Sequence, residues 1–166
     1  IREDPARPGT WEWWYFDTRL DDGATLVVVF YTKPFAVIDG GLAPVVTISL
    51  SLADGRKWEL MREYPATRFS AATDRCDVAV AGNVFRGDLH RYTISATIDD
   101  IAVDVDLAGV VAPWRQATGH LNFGPLGDGS SYFAWLPSVP QGEVTARYSI
   151  GDEVHEAAGD GYHDHN

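Results

Sequence analysis

The sequence predicts an all-β protein built on one antiparallel sheet that closes into a barrel or packs as a sandwich. Three observations carry this. The chain is a succession of short runs rich in β-branched and aromatic residues, the composition that fits a pleated, half-buried surface. Turn signals separate the runs, among them two Asp-Gly pairs, Asp22-Gly23 and Asp54-Gly55, which are the strongest short-range hairpin signal. No segment sustains the 3.6-residue period of an amphipathic helix.

In chain order, Thr10–Leu20 is aromatic or β-branched at most positions, and Asp21-Asp22-Gly23 turns it into Ala24–Thr32. A looser stretch with Pro34, Gly40, Gly41 and Pro44 follows, then Val45–Ala53 and Arg56–Tyr64 form a second hairpin about Asp54-Gly55. Further runs are Cys76–Ala81, Asp88–Ile98, Ile101–Ala108, Ser131–Leu136, Val144–Ile150 and Glu153–Ala157. They are divided by Asp99-Asp100, the region of Pro113, the glycine-rich 124–129 stretch and Gly151-Asp152. Gly124-Pro125-Leu126-Gly127-Asp128-Gly129 precedes no helix and reads as a turn, not a phosphate cradle. In Asp88–Ile98, Tyr92, Ile94, Ala96 and Ile98 alternate with Arg91, Thr93, Ser95 and Thr97, so one face is buried and one is wet. Ile101–Leu107 repeats this, with Asp104 and Asp106 outside.

With 166 residues, 45% of them hydrophobic, the chain can bury one core, and the length favours a single domain. A formal net charge of -11, only two lysines (Lys33, Lys57) and eleven scattered arginines argue against nucleic acid or an anionic membrane as partner, because phosphate binding needs clustered cations. The longest apolar run, about Leu26–Tyr31, is far short of the roughly 20 residues a spanning helix needs. Cys76 is alone, so the fold does not depend on an internal disulfide; the compartment stays open, with the cytoplasm favoured. Arg2-Glu3-Asp4-Pro5 reads as an exposed lead-in.

Two stretches stand apart. In the first strand Trp11, Trp13, Tyr15 and Asp17 fall on one face and Glu12, Trp14, Phe16 and Thr18 on the other. Large rings therefore project from both sides, and the side facing away from the core calls for cover by a second layer of protein. Six tryptophans in all, with Trp58, Trp114 and Trp135, suit either a filled core or a ring-lined cavity for a flat or polyene-like apolar molecule. The second stretch is Gly161-Tyr162-His163-Asp164-His165-Asn166, where groups able to move a proton or hold a metal stand together. On a strand, Tyr162, Asp164 and Asn166 share one face and His163 and His165 the other.

The opening TWEWWYFDTRLDDG and the closing GDGYHDHN resemble the two signature stretches of the carotenoid 1,2-hydratase (hydroxyneurosporene synthase) and AttH-like family. That resemblance implies a lipocalin- or calycin-like barrel, 1–166, as the N-terminal half of a tandem pair. It implies hydration of isolated double bonds, terpenoid cyclisation or Diels–Alder-type closure, without a redox cofactor. Its aromatic motif falls on Trp11, Glu12, Trp13, Trp14, Tyr15, Phe16 and Asp17, and its second motif on Gly161 to Asn166. In the family the second motif runs on into Trp-Gly and a second domain, neither of which follows Asn166 here. A pocket between two such domains would leave this chain with half a site.

The chemistry expected of these residues follows from their types. A carboxyl group against an apolar cavity has a raised pKa and can deliver a proton to an alkene, which makes Asp164 the candidate acid. Tyr162 and Asn166 share its face and are placed to bond a substrate oxygen or a water; His163 and His165, opposite, are expected to orient Asp164 and its loop. Trp11, Trp13, Trp14 and Tyr15 are the expected substrate-binding rings. Two other classes use the same residues. His163-x-His165 could hold a metal ion with a third ligand such as His90, His120 or His155, although no spacing forces them together and the main reading has no metal. A lipocalin-like carrier would use the rings alone.

Overall fold

The computed structural model describes residues 1–123 and 131–166, and it is almost entirely antiparallel sheet. Thirteen strands occur among the described residues: β1 Trp13–Leu20, β2 Thr25–Tyr31, β3 Val45–Ser51, β4 Lys57–Glu63, β5 Phe69–Ala71, β6 Cys76–Val80, β7 Asn83–Gly87, β8 Arg91–Ile98, β9 Ile101–Gly109, β10 His120–Asn122, β11 Tyr132–Ala134, β12 Leu136–Ile150 and β13 Glu153–His165. Two single-turn 3₁₀ segments, Phe35–Val37 and Ala66–Arg68, are the only helical elements among them, and none of the helical segments described is long and apolar enough to cross a membrane. Eleven strands make one sheet in the order β4-β3-β2-β1-β13-β12-β9-β8-β7-β6-β5. The sheet curls until β3 and β4 face β8 across the core. Its ladder stays open between the edges β4 and β5, which the short 3₁₀ link Ala66–Arg68 joins in the chain.

Alternation fixes which side is core. Trp14, Phe16, Leu26, Val28, Phe30, Ile48, Leu50, Phe85, Ile94 and Val103 all point inward and are buried, while Arg91, Thr93, Asp104 and Asp106 point outward. The hairpin turns fall where the Asp-Gly signals put them, with Gly23 at φ 86° and Gly55 at φ 94°, the left-handed region that glycine enters without a Cβ penalty.

The structure departs from the sequence reading in several places. β1 begins at Trp13, because Thr10 Oγ1 is spent on the carbonyls of Asp4 and Arg7 and the Glu12 amide donates to Thr32 Oγ1. The lead-in is docked: the amides of Arg2 and Glu3 donate to Glu12 Oε1 at 2.7 and 2.6 Å, and Ile1 packs on the core. β5, β7 and β10 carry too little alternation to be seen, and the β6–β7 turn uses Ala81-Gly82, with Ala81 at φ 53°. β12 and β13 run through prolines and glycines that read as breakers; β-bulges between Pro137 and Gly142 absorb the mismatch. The glycine-rich 124–129 turn lies outside the described residues.

Candidate active site

β1 pairs with β13 in the register Trp14↔His165, Tyr15↔Asp164, Phe16↔His163 and Asp17↔Tyr162. Directly opposed residues share a face, so the two signature stretches lie side by side and split their residues between two environments. The inner face takes Glu12, Trp14, Phe16, His163 and His165; the outer face takes Trp13, Tyr15, Asp17, Tyr162, Asp164 and Asn166. Asn166 closes the ladder through reciprocal backbone bonds with Trp13, 3.0 Å each.

On the outer face Asp164 is the centre of a hydrogen-bonded cluster. Its Oδ2 accepts from Tyr162 Oη at 2.7 Å and from Trp135 Nε1 at 3.0 Å. Its Oδ1 accepts from Asn166 Nδ2 at 2.5 Å. Burial pushes the Asp164 carboxyl above its ordinary pKa even though these three donors and nearby His165 pull it down; loss of water outweighs the bonds that replace it. Beside it, Tyr15 Oη donates to Asp17 Oδ2 at 2.8 Å, and the Tyr15 and Tyr162 rings meet edge to face at 6.2 Å. Both phenols are pushed up, first by burial and then by the carboxylate each one bonds.

Rings line the approach. Trp13, Tyr15, Phe133 and Trp135 frame an open groove of about 240 Å³ with Asp164 and Asn166 in its wall. Next to it a groove of about 540 Å³ runs past Trp11, Trp13, Tyr132, Phe133 and Asn166. The β10–β11 ribbon forms the far wall, held by Phe133 against Trp13 at 5.5 Å. Trp11 stacks on Trp13 at 5.9 Å, and Trp114 meets Trp135 edge-on at 5.8 Å. Asn166 Oδ1 is buried without a partner among the described residues.

The inner face differs in kind. Trp14 is 1% exposed and lies flat on His165 at 4.7 Å. His165 Nε2 donates to Glu12 Oε2 at 2.8 Å. Burial alone would push Glu12 up, but His165 and the amides of Arg2 and Glu3 hold it below the ordinary carboxylate value. His163 is fully buried between Phe85 and Tyr92, at 4.7 and 4.3 Å. Its Nδ1 donates to the Tyr15 carbonyl at 2.8 Å, while burial drives its pKa down to about 3. Both imidazoles are thus engaged separately. His90 lies at an exposed turn, His120 stacks on Tyr132 at 4.3 Å and His155 bonds Glu153; among the described residues no three metal-ligating side chains converge. Burial also raises the Cys76 thiol to about 12, which keeps it unreactive.

Of the expected site residues, the structure brings Trp11, Trp13, Tyr15, Tyr162, Asp164 and Asn166 together on the outer face and sets Trp14, His163 and His165 behind them on the inner face, where all three border a separate groove of about 580 Å³. Sequence reasoning counted Trp135 only among six tryptophans suited to a core or a ring-lined cavity and missed Phe133, whose place depends on the β10–β11 ribbon folding over the sheet. It also gave Asp17 no role, though the repeated Tyr-x-Asp spacing of Tyr15-x-Asp17 and Tyr162-x-Asp164 was a readable signal.

Comparison with known proteins adds the class. No protein-family model and no curated protein matches the chain. Among solved structures it is similar to a protein assigned as an AttH from Nitrosomonas europaea, with TM-score 0.68, 16% identity, and coverage of 93% of this chain and 50% of that one. It is also similar to kievitone hydratase from Nectria haematococca, with TM-score 0.63, 12% identity, and coverage of 99% and 50%. At these identities the likeness is one of fold: an all-β, antiparallel, lipocalin-like barrel. The chain spans about half the length of both structures.

Proposed function

We propose that this barrel is one half of a hydratase- or cyclase-type enzyme, independent of redox cofactors, acting on a hydrophobic isoprenoid or polyketide-derived small molecule, with Asp164 as general acid. The observation that carries this is the state of Asp164: a half-buried carboxyl with a raised pKa in the wall of an aromatic groove. Its two oxygens are not equivalent. Oδ2 already accepts from Tyr162 and Trp135, which occupies both its lone pairs, whereas Oδ1 accepts only from Asn166 Nδ2 and keeps one lone pair free. A proton taken up by Asp164 therefore resides on Oδ1, and that oxygen delivers it. Protonation of an alkene lying across the groove leaves a carbocation that the faces of Trp13 and Tyr15 stabilise by cation–π attraction. Capture by water gives hydration; capture by a second double bond gives a ring. A second lipocalin-like barrel, from the same polypeptide or another chain, covers the open side and excludes bulk water. The hydratase named among the similar folds supports this reading at the level of fold.

The test is Asp164→Asn in the full-length protein, assayed on prenyl-bearing and polyene probes. It keeps the shape and removes the transferable proton, so turnover should fall about 10²–10⁴-fold while affinity for the probe changes far less. Near-normal turnover in this variant would reject acid catalysis. The groove would then act by holding its ligand in a folded shape, as in a pericyclase, or as a carrier if nothing turns over; turnover abolished only by a chelator would assign the site to a metal.

A further inference from the structure

We infer that Tyr15 and Asp17 form the base arm of this site, with the attacking water held on Tyr15 Oη and its proton received by Asp17 through the phenol. The inference rests on Asp164 being the acid, as proposed above, and extends it to the second half of a hydration. The register sets Tyr15 directly across from Asp164 and Asp17 directly across from Tyr162. Two Tyr–Asp pairs thus sit crosswise on one outer face, each phenol donating to the carboxylate two residues along its own strand, at 2.8 Å for Tyr15–Asp17 and 2.7 Å for Tyr162–Asp164.

The two phenols are not alike. Tyr162 Oη is engaged twice, donating to Asp164 and receiving Trp135 Nε1 at 3.3 Å. Tyr15 Oη donates to Asp17 and, among the described residues, receives no donor, so its lone pairs can accept from a water. Tyr15 lines the same groove as Asp164. Directly opposed residues on one face of an antiparallel pair have Cβ atoms about 4.5–5.5 Å apart, which sets the acid and the phenol side by side in one wall of the groove, where both can reach the same bound double bond. Asp17 itself does not line that groove, so it reaches the water only through the phenol.

The step balances. The proton on Asp164 Oδ1 forms the new C–H bond as the π bond breaks, and the water oxygen forms the C–O bond. One water proton passes to Tyr15 Oη while the phenol proton passes to Asp17, so no phenolate is formed and the phenol's high pKa is no obstacle. The cycle closes when Asp17 returns its proton to solvent and Asp164 takes one up.

The test separates the two halves. A phenol bearing a 3-methylbut-2-enyl side chain is incubated in D₂O with the full-length protein, and two products are followed: deuterium in the recovered alkene, which needs only the acid, and tertiary alcohol, which needs both arms. Asp17→Asn should lower alcohol formation about 100-fold while deuterium exchange stays within about threefold, and Tyr15→Phe should lower alcohol formation to a similar extent. Asp164→Asn should abolish both. Folding of each variant is checked by its melting temperature; if Tyr15→Phe does not fold, the isosteric Asp17→Asn decides alone. Equal loss of exchange and alcohol in Asp17→Asn, or alcohol within about threefold of wild type, overturns the base arm while leaving the acid in place. If the wild-type protein forms neither product, or Asp164→Asn retains both, the acid reading and the base arm fall together.

Discussion

His163 joins the two faces of the sheet. Its ring lies in the core, yet its Nδ1 is bonded to the carbonyl of Tyr15, whose side chain lies on the outer face opposite Asp164. A carbonyl cannot donate, so the ring carries its proton on Nδ1 and is neutral, and its Nε2 is buried without a partner among the described residues. The unfolded chain binds a second proton near the ordinary value of 6.5, whereas the folded imidazole does not until about 3. Stability tied to His163 is therefore complete above pH 6.5 and drains as the pH falls towards 3, by at most about 1.4 kcal/mol per pH unit. His163→Phe should flatten the pH dependence of the denaturation midpoint between pH 6.5 and 5, above the range in which ordinary carboxylates titrate. An unchanged slope would mean that the ring finds a proton in the folded state.

At the scale of elements, the terminal strand shows what was legible and what was not. The Asp-Gly hairpins, the alternation of β8 and β9, and the split of Tyr162, Asp164 and Asn166 from His163 and His165 follow from local chemistry, and the structure agrees with each. Two features were hidden. The pairing of β1 with β13 joins the two ends of the described chain, and no local pattern encodes so distant a partner. The length of β13 was obscured because Gly159 and Gly161 look like breakers. They are instead positions without room: a Cβ at Gly159 would lie 2.2 Å from the Arg19 carbonyl, and one at Gly161 2.6 Å from Val144 Cγ2. The glycines let β13 close on β1 and so put Asp164 opposite Tyr15. Gly159→Ala should destabilise by about 1–3 kcal/mol through overpacking against backbone, read from the denaturant midpoint. Gly41→Ala, where nothing stands within 4 Å, should change it by less than about 0.5 kcal/mol. Equal effects would show that β13 tolerates displacement at this point.

For the whole molecule, the open question is the outer face. A curled sheet buries one side, and here the other side carries Trp11, Trp13, Tyr15, Phe133 and Trp135 around a polar cluster, with exposed rings continuing to Phe35, 67% exposed, and Phe123, 69% exposed. Contiguous exposed apolar surface of this kind marks an interaction site in soluble proteins, and a half-buried carboxyl with a raised pKa is of little catalytic use while its groove is open to water, which screens and competes for its proton. The second barrel proposed above meets both needs at once: it buries the rings, and by removing water it raises the Asp164 pKa further, since burial is already the leading cause of its shift. Titration of Asp164 by carboxyl NMR should therefore give a higher pKa in the two-barrel protein than in the chain 1–166 alone. The isolated chain should self-associate in sedimentation experiments, with Trp13→Ser and Phe133→Ser weakening that association. A chain that stays monomeric at high concentration, with an Asp164 pKa unchanged by the second barrel, would place the partner elsewhere and leave the groove a surface feature.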